Sequence, residues 1–325
     1  MRSRTVVLLL TALVLTACTS RTGPSATGSS ATESTSSSTA SKVTEEQLRD
    51  ADPCGFLDNP TLTAYGKIDF EDGVFYTDCT ASIAAQGNTL RVEASLQVET
   101  SGRDPGDPWQ KTERRGFTVW TAAEESFGCQ REIQVYDNAV VALWASESET
   151  TGTTCDVADK ATDAAIEQLL SGEISPHQVP KNSLFNQDSC ALVTDEDAAR
   201  APEIDAKDVH PAFAGQSCTW GTEDITQPSL FVSFTRYEPP VADEPGEQQT
   251  QIAGHAAVVT QEERDAVPAV GGSLPSCEVE VVYDTDLDNQ AEILAVTVTN
   301  NGTPASNCPL ATELATKAMG KLPGA

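Results

Sequence analysis

The sequence predicts an α+β protein of two tandem related domains, each a mostly antiparallel sheet of about five strands, disulfide-stabilised, with helices on one face. Three observations predict this class: two similar quartets of cysteines, a repeated order of short motifs, and strand-like alternation of apolar and polar residues. In each quartet a long gap separates the second cysteine from the third. The quartets are Cys54, Cys79, Cys129 and Cys155, then Cys190, Cys218, Cys277 and Cys308.

The repeated motifs indicate an internal duplication. Asp52–Leu57, which opens the first unit, resembles Asp188–Val193, which opens the second. Asp78–Ala81 matches Ser217–Trp220 around the second cysteine of each quartet. The same order continues through two strand-like segments, a third cysteine, and a fourth cysteine that opens a helix-like stretch. Two copies of one domain are the simplest explanation of this order.

The repeat places the domain boundaries. We predict a first repeat domain at residues 44–174, a linker at 175–185 and a second repeat domain at 186–325. The linker contains Pro176 and Pro180, which are typical of a connection between domains. Each domain then has an ordinary size for a single hydrophobic core.

Local patterns predict the elements in order. Asp52 and Asp188 are each expected to cap a short first helix. Closing helices with an apolar stripe are expected at Cys155–Leu170 and Cys308–Leu322. The strands are expected near Cys79, at Leu90–Val98, at Gly116–Thr121 and as a pair around Tyr136, with counterparts near Cys218, at Leu230–Tyr237, at Gly254–Thr260 and around Tyr283. Two segments rich in Pro, Gly and acidic residues are expected to be long loops, Thr100–Lys111 and Glu238–Gln249.

Disulfide bonds are the expected state of the eight cysteines. Each quartet allows three connectivities, and spacing alone does not choose between them. We favour the pairs in which a bond joins a helix to a neighbouring strand. Zinc and redox-active sites are disfavoured because the chain has no Cys-x-x-Cys motif. The favoured pairs are Cys54–Cys79, Cys129–Cys155, Cys190–Cys218 and Cys277–Cys308.

The N-terminal sequence is typical of an exported lipoprotein. Arg2 and Arg4 precede an apolar run that is too short to span a bilayer, so residues 1–17 are expected to be a signal peptide. The run ends in Leu-Thr-Ala-Cys18, which resembles the bacterial lipobox. Cys18 is therefore expected to carry a diacylglyceryl anchor. Residues 18–43 are expected to form a disordered, Ser/Thr-rich tether on the outer face of the cytoplasmic membrane.

The charge of the chain excludes one class of partner. There are 49 acidic residues against 20 basic ones, which gives a formal net charge of −29. A chain of this charge repels nucleic acid and anionic lipid head groups. We therefore expect no nucleic acid partner.

The motifs of the second unit resemble a domain of unknown function that is common in actinobacterial lipoproteins. Its pattern is Asp-x-Cys-x-Leu, Cys-Thr-Trp, a Gly-containing strand, a third cysteine, and Cys-x-x-Ala before Leu-Pro. The first unit is a degenerate match, with Ala81 in place of the tryptophan. The resemblance implies an envelope lipoprotein with this domain as a tandem pair. The matching positions in the second unit are Cys190, Cys218, Thr219, Trp220, Gly254, Cys277, Cys308, Leu322 and Pro323.

The sequence offers few candidates for chemistry. The histidines His177, His210 and His255 stand outside any recognised catalytic motif, so no catalytic residue and no cofactor is predicted. A weak calcium candidate is formed by Asp284, Asp286 and Asp288. It lacks the Gly and Glu that a calcium loop has at its sixth and twelfth positions. A hairpin turn is the simpler interpretation of this segment.

A non-enzymatic binding or adaptor protein is the favoured function. Its expected partners are the membrane, through the anchor on Cys18, and an envelope protein or a lipid or glycan ligand held between sheet and helix. The alternatives are a cell-wall-directed hydrolase and a ligand sensor acting through a membrane partner. A pocket with two convergent carboxylates would favour the hydrolase, and a flat or apolar surface would favour binding.

Overall fold

A computed structural model describes most of the chain beyond residue 40. The predicted signal peptide, Cys18 and most of the predicted tether lie outside it. No helix among the described residues has the length and apolar character needed to cross a membrane. The described residues are 41–58, 60–85, 88–97, 109–122, 128–147, 154–222, 227–262, 274–285 and 290–324.

The first half of the described chain forms a seven-stranded antiparallel sheet. Its strand order is β1-β2-β3-β7-β6-β5-β4. The strands are β1 (Lys67–Asp72), β2 (Asp78–Ala85), β3 (Asn88–Gln97), β4 (Gln110–Arg114), β5 (Phe117–Thr121), β6 (Gly128–Tyr136) and β7 (Ala139–Glu147). Three short helices precede the sheet and a long one follows it: α1 (Glu45–Arg49), α2 (Pro53–Leu57), α3 (Pro60–Thr63) and α4 (Thr154–Ser171).

The second half forms another seven-stranded antiparallel sheet, with the order β11-β12-β13-β14-β10-β9-β8. Its strands are β8 (Val209–Pro211), β9 (Ser217–Gly221), β10 (Ser229–Tyr237), β11 (Glu247–Ile252), β12 (His255–Glu262), β13 (Ser276–Thr285) and β14 (Ala291–Thr299). Its α-helices are α5 (Asp195–Ala198) and α6 (Pro304–Met319), and its 3-10 helices are Leu184–Asn186, Ser189–Leu192 and Phe213–Gly215.

The two sheets have the same strand order when each is counted from its own first strand. Two tandem sheet domains were predicted, and the architecture agrees with that prediction. The predicted class and strand number were wrong in detail, because the described chain is mostly β and each sheet has seven strands instead of about five.

The additional strands are the four at the sheet edges, β1, β4, β8 and β11. An edge strand has one side without a pairing partner and often has solvent on both faces, so it needs no apolar alternation. The sequence of β4, Gln-Lys-Thr-Glu-Arg, and that of β11, Glu-Gln-Gln-Thr-Gln-Ile, are of this kind. Both strands begin inside segments that were predicted to be loops, which corrects the loop assignment of Thr100–Lys111 and Glu238–Gln249.

Helices cover one face of each sheet. Helix α4 packs on β6 and β7, and α6 packs mainly on β13 and β14. In α4 the side chains that face the sheet recur at helical spacing, and in α6 the capping box of Thr303 and Ser306 begins the helix. The buried apolar side chains of α4 are Val157, Ala158, Ala161, Ala165, Ile166 and Leu169.

Four disulfides attach the helices to the sheets with the favoured connectivity. In each domain the first bond joins an early short helix to the second strand, and the second bond joins a central strand to the closing helix. The Cα atoms of each pair lie 5.0–5.1 Å apart. In the chain-entropy model, closing loops of this length stabilises the fold by about 3–4 kcal/mol per bond. The bonds are Cys54–Cys79, Cys129–Cys155, Cys190–Cys218 and Cys277–Cys308.

The two domains exchange one aromatic side chain each. Tyr76 precedes β2 of the first sheet but belongs to the hydrophobic core of the second. Phe213 precedes β9 of the second sheet but belongs to the core of the first, where the Arg49 guanidinium lies 5.6 Å from its ring centroid. Both residues come from the segment before the second strand of their own sheet. Each domain therefore completes the core of the other.

Polar contacts hold the exchanged tyrosine in place. The Tyr76 hydroxyl donates to Glu292 Oε1 at 2.6 Å, and the Glu292 carboxylate also accepts from the Ser183 hydroxyl and from the Leu184 backbone N–H. The Tyr76 ring also lies against the rings of His177 and Phe185. The pKa of the Tyr76 phenol is raised far above its usual value, mainly because the phenol is buried. This hydroxyl therefore remains a donor at neutral pH.

The predicted linker takes part in the same contact region. A backbone bridge pairs Ala51 with Pro176, and the Asp52 N–H donates to the Ser175 carbonyl oxygen at 2.8 Å. The His177 ring nitrogen Nε2 lies 2.7 Å from the Tyr76 carbonyl oxygen. The linker is therefore bonded to the first domain and to the exchanged tyrosine.

A buried guanidinium supports the first domain from within. Arg131 on β6 is about 6% exposed, and its Nε donates to Asp159 of α4 at 2.9 Å. Arg114 on β4 donates to the same carboxylate at 2.7 Å. Burial alone would raise the pKa of the Asp159 carboxyl, but the hydrogen bonds from Arg131 and Arg114 outweigh it and lower the pKa.

Replacement of the exchanged tyrosine should destabilise the protein. Tyr76→Ala leaves a cavity in the second core and removes a donor from Glu292, so we expect the free energy of unfolding to fall by about 3–5 kcal/mol. Urea unfolding followed by near-UV circular dichroism measures the change. The control is Tyr65→Phe, which removes the hydroxyl that donates to Asp156 at the surface and should cost less than about 1 kcal/mol. Equal effects of the two variants would show that the exchange contributes little.

Removal of the Asp159 charge should have a pH-dependent cost. The folded pKa is lowered, so the stabilisation is present above the usual carboxyl pKa of about 3.9 and is lost as the pH falls through the folded value. Asp159→Asn should reduce the free energy of unfolding by about 1–3 kcal/mol at pH 7, since it leaves the Arg131 charge buried without its partner. The difference from the parent should shrink below pH 4.

Denaturant titrations at pH 7, 5 and 3 test this dependence. The matched control is Asp163→Asn, whose carboxylate lies 3.6 Å from Arg114 and is 64% exposed. This control should change stability by less than about 0.5 kcal/mol. A loss of the same size at pH 7 and pH 3 for Asp159→Asn would contradict an electrostatic origin.

Candidate functional site

A groove lies on the face of the second sheet that is opposite its helix. Its volume is about 450 Å³, which falls within the range of small-molecule sites. The alternation along each strand places its lining residues on this face, while neighbours such as Trp220, Leu230 and Val298 point to the core. The face opposite the helix therefore carries a groove of small-molecule size.

One row of side chains crosses the sheet through the groove. Cross-strand pairing aligns His210 with Thr219, Thr219 with Phe231, Phe231 with Thr297, and Thr297 with Glu278. Five strands thus contribute one residue each to a continuous row. An aromatic ring lies in the middle of the row, with a hydroxyl group on either side of it.

A second row runs beside the first. Ser229 pairs with Thr299, Thr299 with Ser276, and Ser276 with Glu262. The Ser276 hydroxyl donates to Glu262 Oε2 at 3.5 Å, and in the first row the Thr297 hydroxyl donates to Glu278 Oε1 at 3.3 Å. A hydroxyl of a neighbouring strand therefore orients each carboxylate.

Two acidic side chains belong to the lining of the groove. Its lining includes the carboxylates of Glu262 and Glu278, and none of its described lining residues is Lys or Arg. His210 is 40% exposed at the rim, and its Nε2 lies 3.0 Å from Asp208 Oδ1. The groove thus offers hydrogen-bond acceptors, hydroxyl groups and one ring.

The first sheet has different side chains at most of the equivalent positions. When the two sheets are aligned on their second cysteines, the equivalent row is Glu71, Thr80, Glu93, Trp144 and Gln130. The carboxylate of the second sheet is replaced by an amide, and the threonine beside it by a tryptophan. The two open faces therefore differ in shape and chemistry.

Trp144 lies across its neighbouring strand because of a glycine. A Cβ atom at Gly128 would clash with Nε1 of Trp144 and with the Ala145 carbonyl oxygen. In the second sheet the positions of Trp144 and Gly128 are taken by Thr297 and Ser276. The smaller threonine leaves the space that forms part of the groove.

The open face of the first sheet carries acidic groups of its own. Burial, and secondly the charge of Asp78, raise the pKa of the Glu93 carboxyl. Burial also raises the pKa of Asp78, which accepts a hydrogen bond of 2.6 Å from Ser95. These residues form a polar sheet face, and Phe231 of the second sheet stands where Glu93 does here.

The second domain matches a protein family of unknown function. The match is to a family described as "Protein of unknown function (DUF3558)" and covers residues 171–321, which include the whole second sheet and its groove. No curated protein matched the chain. Among solved structures, the crystal structure of the di-domain ARO/CYC StfQ from the steffimycin biosynthetic pathway is 10% identical, with a TM-score of 0.18. The alignment covers 86% of this chain and 97% of that one, and a TM-score this low does not indicate a shared fold.

The structure separates the predicted site residues. Of the three histidines only His210 lines the groove in the DUF3558-like domain, while His177 lies in the contact region and His255 bonds to the Val282 carbonyl oxygen. Asp284 is exposed at the end of β13, and Asp286 and Asp288 lie outside the described residues, as does Cys18. No cluster of metal-ligating side chains occurs in the described part of the chain.

The expected position for a ligand, between sheet and helix, is filled by apolar side chains such as Val232, Leu314 and Met319. The groove on the opposite face was missed by sequence reasoning. Its signal was present in the polar members of the alternating strands, for example Thr297 and Thr299 beside buried Val296 and Val298. Such positions are ordinarily solvent-exposed, and only the side-chain sizes on neighbouring strands show that they enclose a groove.

Proposed function

We propose that this chain is a lipid-anchored extracytoplasmic binding protein whose ligand site is the groove of the second sheet. The groove itself carries the proposal, because it combines a volume of about 450 Å³ with an acceptor-rich, hydroxyl-rich lining. The family that the second domain matches has no known function, so the match does not conflict with a binding role. The place at the membrane comes from the sequence around Cys18.

The chemistry of the groove favours binding over catalysis. Both carboxylates accept hydrogen bonds from hydroxyls of adjacent strands, which orients them as acceptors. His210 contacts Asp208, and among the described residues no serine or cysteine is hydrogen-bonded to His210 to serve as a nucleophile. The hydroxyls and carboxylates of the lining are groups that recognise a ligand through hydrogen bonds.

A hydrolase is a second candidate because the groove holds two carboxylates. Glu262 and Glu278 are diagonal neighbours on β12 and β13, a relation that separates Cα atoms by about 7–8 Å. Paired carboxylates are the catalytic groups of most glycosidases. Release of sugar fragments from purified cell wall by the parent, and its loss in Glu278→Gln, would favour this alternative.

The anchor is tested by removal of the thiol. Cys18→Ser cannot accept a diacylglyceryl group, and cleavage at a lipobox follows that acylation, so we expect a precursor that retains residues 1–17 and carries no lipid. Immunoblots of the fractions and mass spectrometry of the mature N-terminus measure the change. The control is Ser20→Ala, two residues further on, which should remain membrane-bound. A Cys18→Ser protein with the same lipid-bearing mature N-terminus as the parent, or a parent that carries no lipid on Cys18, would contradict the anchor.

The groove is tested by filling it. Thr297→Trp combined with Ser276→Gly recreates the tryptophan and glycine pair of the first sheet, so the fold should accept it. We expect the parent to bind soluble saccharide fractions of the envelope and the filled variant to bind them at least about tenfold more weakly. Heteronuclear NMR titrations report both the affinity and the location.

The control for the filled groove is Glu93→Gln, which changes the equivalent row of the first sheet. This variant should bind like the parent. Unchanged binding by the filled variant would contradict the proposed site, provided that its spectrum shows a folded protein.

A further inference from the structure

We propose that the groove binds an uncharged saccharide, whose ring stacks on Phe231 and whose hydroxyl groups bond to the threonine and serine side chains around it. This inference rests on the proposed function, since it names the ligand class of the same groove. Three features of the lining carry it: the placement of the aromatic ring, the hydroxyl groups beside the ring, and the engagement of the two carboxylates within the protein.

Phe231 is the aromatic side chain in the middle of the groove. It lies on β10 and pairs with Thr219 on one side and with Thr297 on the other. Neighbouring strands are about 4.8 Å apart, so each threonine flanks the ring at one strand spacing. The face of an aromatic ring carries negative partial charge, and the C–H groups on the face of a sugar ring carry positive partial charge. A sugar ring stacked on Phe231 therefore brings its polar rim to both threonines.

Hydroxyl groups near the ring are open to a ligand. Those of Thr219, Ser229 and Thr299 have no hydrogen-bond partner among the described residues. A hydroxyl group donates one hydrogen bond and accepts others, so it matches the hydroxyl groups of a sugar in either role. An acyl chain in the groove would cover these groups and leave them unpaired, which costs free energy. The lining therefore favours a ligand with many hydroxyl groups over a lipid.

The two carboxylates of the lining are engaged within the protein. Glu262 accepts a hydrogen bond from the Ser276 hydroxyl, and Glu278 accepts one from the Thr297 hydroxyl. Each glutamate also takes part in a further interaction within the chain. These contacts fix the two side chains as parts of the lining, so the groove does not select a ligand by a positive charge.

An acidic ligand is disfavoured for a different reason. The described lining lacks Lys and Arg, which are the usual partners of phosphate, sulfate and carboxylate groups. The formal net charge of −29 on the whole chain repels anions at longer range. Neither sign of charge is favoured, and the ligand is therefore uncharged.

Three β-1,4-linked disaccharides separate charge from shape. The neutral probe is cellobiose, whose rings have C–H groups on both faces and hydroxyl groups around the rim. The cationic probe is the disaccharide of glucosamine, and the acidic probe is cellobiuronic acid. Heteronuclear NMR titrations at pH 7, on soluble protein beginning at residue 19, measure affinity and location. Cellobiose should bind around Phe231 with a dissociation constant of about 1 mM or lower. The cationic probe should bind no more than about threefold more tightly, and the acidic probe at least about tenfold more weakly.

Matched variants assign the parts of the ligand. Phe231→Ala removes the stacking surface and should weaken cellobiose at least about tenfold. Thr219→Val keeps the shape of the side chain but removes its hydroxyl, and it should weaken cellobiose about three- to tenfold. Thr80→Val makes the same change after the second cysteine of the first domain, outside the groove, and should leave binding unchanged. The spectrum of each variant shows whether it is folded.

The outcomes distinguish this inference from the proposed function. A cationic probe that binds more than threefold more tightly than cellobiose, or an acidic probe that binds as well as cellobiose, would overturn the uncharged assignment. Equal competition by sorbitol, an open-chain polyol, would overturn the requirement for a ring. If envelope fractions bind in the groove but cellobiose does not, the ligand class is wrong and the binding function stands. If the filled variant Thr297→Trp with Ser276→Gly binds envelope fractions as the parent does, both fail.

Discussion

The alternation of side chains along the strands is the constraint on which the other features of both domains depend. In each domain one set of strand residues is apolar and lies under the closing helix, to which a disulfide attaches the sheet. Successive residues of a strand point to opposite faces, so the other set must lie on the open face. The core and the open face are thus built from alternate positions of the same strands. A change in the open-face residues can alter the lining of the groove without changing the core.

The exchange of Tyr76 and Phe213 makes the two domains interdependent. Each aromatic side chain is almost fully buried, but in the core of the opposite domain. Glu292 fixes one of them through hydrogen bonds, and Arg49 lies over the ring of the other. Reciprocal contacts of this kind are typical of isologous interfaces between identical subunits. Here the contact joins two domains of one chain, so the pairing does not depend on protein concentration.

Much of the fold was predictable from local patterns. The closing helices and the central strands follow from spacing and alternation, although α6 begins at Pro304, before the predicted start at Cys308. The helix-to-strand disulfides match the favoured pairs. The edge strands were missed because β4 and β11 are polar on both faces. The groove depends on side chains from five or more strands, among them Phe231 and Thr297, whose proximity is set by register. Register is a long-range property, and the local sequence does not contain it.

The difference between Trp144 and Thr297 has a consequence for valency. In the first sheet Trp144 occupies the position where the second sheet has the smaller Thr297 and its groove. Among the described residues this groove therefore belongs to the second domain. A chain with one such groove gains no avidity from its own duplication, because avidity requires two sites that engage together. In the proposed function, attachment to a ligand with repeated units would instead depend on how many anchored copies share a patch of membrane. The surface density of the protein would then set how firmly such a ligand is held.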